Sequence, residues 1–136
     1  MKNLLKTNCF DISEKIIIIG SCLQNMFPKI YQELEQESVN IYEVCLEETH
    51  LNMVITKIIG MISRNNIKEI KFVTVDKSPH CVQLHYVVKE LENIINLEKL
   101  HIENYVVTNK GLIKIPIKVI GISKNLSKLS EYLKEI

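Results

Sequence analysis

The run Lys71-Phe72-Val73-Thr74-Val75-Asp76-Lys77-Ser78-Pro79-His80-Cys81-Val82-Gln83-Leu84-His85-Tyr86 decides how the chain is read. Its first part is β-branched and aromatic, as in a buried strand, and it stops at a polar loop after Val75. Ser78 is a good N-cap, and Pro79 suits the first helical position, where its missing N–H has no partner to lose. A helix over 79–95 follows, with Val82, Tyr86, Leu91 and Ile94 toward the sheet. His80 and Cys81 fall in its first turn, where free N–H groups and the positive helix end favour an ionised thiol. Cys81 is therefore a candidate catalytic thiol.

Two similar units precede this one. Lys15-Ile16-Ile17-Ile18-Ile19-Gly20 is an uninterrupted β-branched run closed by glycine, the pattern of a strand buried on both faces. Gly20-Ser21-Cys22 is the turn after it, and the segment to Ser38 turns helical: either the helix starts near Phe27 with Pro28 in its first turn, the preferred reading, which leaves residues 21–26 as a loop, or an earlier turn is kinked at Pro28. A second strand covers 39–46, with Cys45 near its end. The next loop holds His50, and Leu51, Val54, Ile55, Ile58, Ile59 and Ile62 mark a helical face up to Arg64-Asn65-Asn66. Beyond residue 100 the pattern changes: a strand over 101–108, a hairpin turn at Asn109-Lys110-Gly111, and a return strand over 112–115. Residues 116–136 read either as a last strand through Ile122 and then a helix, or as one longer helix. Residues 1–13 carry no period and read as a tail or a short leading segment.

Three strand–loop–helix units in succession predict an α/β fold: one domain of three layers with a mainly parallel sheet, flavodoxin-like or Rossmann-like, plus a C-terminal β-hairpin and helix. The chain has 136 residues, a formal net charge of +1 and no Trp. Without a basic face or a set of stacking aromatics, nucleic acid is not an expected partner. No run approaches the roughly 18 apolar residues of a membrane span, and the first residues are too polar for a signal peptide, so the expectation is a cytoplasmic protein with no membrane partner. In a reducing cytosol Cys9, Cys22, Cys45 and Cys81 are expected to be thiols or ligands and not a disulfide framework.

In a parallel sheet all strand-to-helix loops emerge at the carboxyl edge, where ligands bind in open α/β folds. Each of those loops carries a cysteine here. With the first strand central, in the order 2-1-3, and strands about 4.8 Å apart, Cys22, Cys45 and Cys81 converge within roughly 10 Å. His80 belongs to the same edge, and Cys81 and His85, four apart, share a helix face. Three thiols with an imidazole make a candidate soft-metal, zinc or iron–sulfur site, with Ser21 and Ser78 as cofactor-binding hydroxyls beside it. The alternative is that the cysteines fill the core, which free cysteines commonly do, Cys9 and Cys45 most of all. His50, His85 and His101 read as surface or packing residues. There is no dinucleotide fingerprint, P-loop or nucleophile elbow.

In layout the chain resembles the small iron–sulfur delta subunit of methyl-viologen-reducing hydrogenases, through Cys22, Cys45 and Ser78-Pro79-His80-Cys81 within residues 15–95. The resemblance implies an iron–sulfur centre and a redox partner protein. Where that family carries paired cysteines this chain has single ones, so a complete ligand set takes His80, Cys9 or a second copy of the chain. Three functions follow as expectations: a redox-associated protein holding a metal or iron–sulfur centre; a thiol enzyme using Cys81; and a small-ligand-binding or partner-docking domain with structural cysteines.

Overall fold

The structure is a computed structural model and describes residues 2–37, 40–95 and 97–134. Five parallel strands and one antiparallel strand form a single sheet in the order β1-β3-β2-β4-β5-β6. The strands are β1 (Lys2–Asn3), β2 (Lys15–Gly20), β3 (Asn40–Val44), β4 (Glu69–Val75), β5 (His101–Thr108) and β6 (Gly111–Ile115). The helices are α1 (Leu23–Met26), α2 (Pro28–Glu35), α3 (Leu51–Arg64), α4 (Gln83–Ile94), α5 (Ile117–Ser123) and α6 (Leu126–Lys134). The expected three-layer α/β fold, the expected central position of β2 between β3 and β4, and the C-terminal hairpin are all present. The expected helix end at Ser38, strand start at Val39 and chain end at Ile136 lie outside the described residues.

β2 shows why the isoleucine run makes a central strand. Ile16 and Ile18 join one apolar cluster, with Val54, Ile58 and Met61 of α3 and Leu84, Val87, Val88 and Leu91 of α4. Ile17 and Ile19 join the other, with Leu23 of α1 and Tyr31 and Leu34 of α2. Alternate side chains of a strand face opposite ways, so only an unbroken apolar run satisfies both layers. Each of the four isoleucines is at most 1% exposed, and such burial stabilises by about 2 kcal/mol per side chain.

Three local expectations are corrected, and one left open is decided. Of the two readings of the first residues, a short leading segment is present and not a tail. Asn3 Oδ1 accepts from the N–H groups of Leu5 and Lys6, capping a short 3₁₀ turn that drives Leu4 fully into the core, while β1 pairs with the edge of β3. A two-residue strand is too short to show a period. Further on, the Asn65 side chain donates to the carbonyls of Cys9 and Met61 and accepts from Ile12 N–H, tying residues 9–12 to the end of α3.

The expected loop over 21–26 contains the single turn α1, and a break at Phe27 separates it from α2, which does begin at Pro28. Residues 116–134 form two helices, with Ser123 Oγ bonded to the carbonyl of Ile120 at the end of α5, and neither a strand nor one long helix. The expected helix from Pro79 begins as an irregular turn. The N–H groups of Gln83, Leu84 and His85 bond three residues back, to His80, Cys81 and Val82, and regular α-helix starts only at Gln83. No helix among the described residues is long and apolar enough to cross a membrane.

Candidate functional site at the carboxyl edge

From β2 the chain passes to β3 on one side, then crosses back over β2 to β4 on the other. The carboxyl ends of β2 and β4 are therefore the topological switch point, where open α/β sheets leave a crevice. A cavity of about 340 Å³ lies there, lined by Gly20, Ser21, Cys22, Met26, Val44, Cys45, Leu46, Glu47, Ser78, His80, Cys81 and Leu84. The principal residues expected from sequence as ligands or binding hydroxyls are on that wall, Cys22, Cys45, His80 and Cys81, with Ser21 and Ser78; Cys9, the alternative ligand, is not. The convergence follows from the strand order, which brings three loops distant in sequence to one edge.

Within the cavity the thiols are not equivalent. Cys22 Sγ and Cys81 Sγ are 3.8 Å apart. Cys81 is buried, packs in the apolar cluster under α1 and α2, and its Sγ accepts the Val75 N–H at 3.4 Å. Gly20 permits this, because a Cβ there would collide with Cys81 Sγ. Cys22 caps α1 without any side-chain cap bond and is half-buried. Cys45 follows β3, and its carbonyl accepts from Glu48 N–H, Thr49 N–H and Thr49 Oγ1, which fixes the loop that carries it. Cys9 stands apart, packed in the cluster on the opposite face, with its Sγ near Gly60 of α3. It is not available to this cavity.

The expected easily ionised thiol is corrected. Burial pushes the Cys81 thiol up to about 11, with the neighbouring Cys22 adding to the rise and the Val75 N–H opposing it. The reason is that Cys81 precedes the helix and turns inward. Its own N–H is taken by Ser78 Oγ at 3.1 Å, and its thiol meets apolar side chains and not the open end of a dipole. Ser78 thus does the capping expected of it, but for a turn.

His80 is half exposed at the mouth, with Nε2 4.0 Å from Glu47 Oε2, so an imidazole and a carboxylate flank the opening. Glu47 was missed in the sequence; its only signal is a position three residues past the end of β3. His85 is the packing residue of the two alternatives, and Cys81 lies before the helix that carries it. It is buried, with Nε2 accepting from Thr74 Oγ1 at 2.7 Å and Nδ1 donating to Asn104 Oδ1 at 2.9 Å. Burial lowers its pKa.

Among the described residues, the one group of three or more metal-binding side chains whose ligand atoms all lie within 4.8 Å of one another is Glu69, His101 and Glu103, at the other end of the sheet. Lys15 and Lys114 already pair with its two carboxylates. At the carboxyl edge Cys22 Sγ and Cys81 Sγ are in contact, and Cys45 and His80 line the same space.

A second cavity of about 630 Å³ adjoins the first, sharing Met26 and Ser78. Its floor is apolar, with Phe27, Val75, Val107 and Ile113, and Asp76, Lys77 and Lys110 stand at its rim.

Comparison with curated proteins and with solved structures gives no match. Residues 12–135 match the family model of the Rossmann-like domain, and the chain belongs to that family.

Proposed function

We propose that this domain binds a soft metal ion or an iron–sulfur centre at the switch point of its sheet, in a redox-associated role. The observation that carries the reading is the separation of Cys22 and Cys81 Sγ, 3.8 Å. Two thiolates each roughly 2.3 Å from one tetrahedral metal stand about 3.8 Å apart, so this pair fits two corners of such a centre. Cys45 and His80 line the same cavity and supply a third and fourth donor by side-chain rotation. Metal binding also answers the high pKa of Cys81, since a coordinated thiol gives up its proton to the metal's charge. Ser21 and Ser78 lie beside these donors as hydrogen-bonding groups for a cluster or its ligands. A redox partner or a second copy would meet the centre at the open mouth, between His80 and Glu47.

Titration of the reduced protein with cobalt(II), read by thiolate-to-metal absorption, tests the donor set. Saturation at one ion per chain is expected, with loss of the band in Cys22→Ser and Cys81→Ser and a weakened band in Cys45→Ser and His80→Ala. An unchanged band in Cys22→Ser overturns the reading.

A second reading is favoured by the larger adjoining cavity: a small organic ligand on its apolar floor, with the cysteines as packing. The thiol-enzyme reading has less support, because a buried thiol with a raised pKa is a poor nucleophile at neutral pH.

A further inference from the structure

We infer that Cys22 and Cys81 form a reversible intrachain disulfide when a hydroperoxide reaches the carboxyl-edge cavity. This inference concerns the same two thiols as the metal reading but does not rest on it, because it needs only their proximity and their unequal exposure.

The two sulfurs lie on different loops, after β2 and after β4, and stand 3.8 Å apart. A disulfide requires about 2.05 Å. Closing that gap falls to Cys22. It is the N-cap of α1, a single four-residue turn, and its side chain makes no cap bond. Cys81 is the fixed partner, held by the Val75 N–H and seated against Gly20. Exposure assigns the order of events. Both thiols line the cavity, but Cys22 is the half-buried and more accessible one, so it meets the oxidant, and the buried Cys81 resolves the product. Cys9 lies on the opposite sheet face and is excluded as a partner.

The chemistry balances in two steps. Cys22 sulfur, as the thiolate, attacks the terminal peroxide oxygen; the O–O bond breaks, Cys22 becomes a sulfenic acid, and water or an alcohol leaves with a proton. Cys81 sulfur, a slow nucleophile toward reagents in solution, is held 3.8 Å from Cys22 sulfur and so displaces its hydroxyl intramolecularly; the S–S bond forms and the Cys81 proton leaves with the hydroxyl as water. In sum two thiols are oxidised by two electrons and one peroxide is reduced. A dithiol reductant reverses it by exchange. Oxidation withdraws two soft donors from the cavity, so a metal held there is released.

The four cysteines fall in four separate tryptic peptides, residues 7–15, 16–29, 30–57 and 78–89, which makes the test direct. Chelator-treated, fully reduced protein is exposed to hydrogen peroxide, quenched, alkylated and digested. Free thiols are expected to fall from four to two per chain, with peptide 16–29 linked to 78–89 and the link lost on adding dithiothreitol. Cys45→Ser is expected to form the same link. Four free thiols after peroxide, a link through Cys9 or Cys45, or oxygen adducts on Cys22 beside an unlinked Cys81 overturns the inference. Because the protein is metal-free, these outcomes leave the metal reading to be decided separately by the cobalt titration.

Discussion

Cys81 Sγ occupies the space that a Cβ on Gly20 would need, so the end of β2 and the loop after β4 are fitted to each other through one thiol and one missing methyl group. Gly20→Ala is expected to destabilise the fold by about 1–3 kcal/mol through overpacking. Adding Cys81→Ala removes the colliding sulfur, so the double variant is expected to lose less than the sum of the single losses. Denaturant unfolding of the four proteins checks this. Strict additivity contradicts the contact.

Burial of Cys81 sets its reactivity. With its thiol pushed up to about 11, Cys81 is expected to react with iodoacetamide far more slowly at neutral pH than the half-buried Cys22. Its rate is expected to climb as pH approaches that value. Peptide-resolved alkylation measures both rates, and fast, selective labelling of Cys81 at pH 7 contradicts the burial.

His85 links the sheet to α4 through Thr74 and Asn104, and burial holds its pKa below the ordinary value. The unfolded chain takes up a proton near pH 6.5, whereas the folded chain does so only at lower pH. Stability is therefore full above about pH 6.5 and falls as pH drops from there toward the folded value, levelling off below it. His85→Leu is expected to flatten this part of the profile. It also costs about 1–3 kcal/mol at neutral pH, because the Thr74 and Asn104 side chains lose their partner. Urea unfolding from pH 5 to 8 checks both effects.

Three described backbone positions have left-handed φ, Asp11, Lys77 and Gly111, and the last two predict opposite responses. Gly111, which opens β6, has φ +108, so Gly111→Ala is expected to destabilise by about 1 kcal/mol or more although open space surrounds it. Lys77, in the loop between β4 and Ser78, has φ +68 without being glycine. Lys77→Gly is expected to be neutral or to stabilise by up to about 1 kcal/mol. Thermal unfolding of both variants separates the two cases.

The sheet was legible where one residue type had to satisfy two layers at once. Ile16 to Ile19 face both apolar clusters, and no other arrangement buries all four. The shared edge for Cys22, Cys45, His80 and Cys81 was legible too, because it follows from strand order and not from any side-chain detail. What escaped were features decided by a few atoms. Ser78 and Pro79 promised a helix start, yet packing against Gly20 and Val75 turns Cys81 inward while its neighbours Pro79, His80 and Val82 stay exposed, and the helix begins only at Gln83. Leu4 joins the core from a three-residue 3₁₀ turn after a two-residue strand, elements too short to leave a periodic trace. His85 found Thr74 and Asn104 across 11 and 19 positions of sequence, a distance at which polar pairing has no local signature.

The most direct test of the central claim is iron, zinc and acid-labile sulfide analysis of the protein purified without oxygen, alongside the Cys22→Ser/Cys81→Ser double variant. About one metal centre per chain is expected in the natural sequence and none in the variant, with the fold of both verified by circular dichroism. A metal-free natural protein, or a folded double variant with undiminished metal, contradicts the claim that these two thiols hold a metal at the switch point of the sheet.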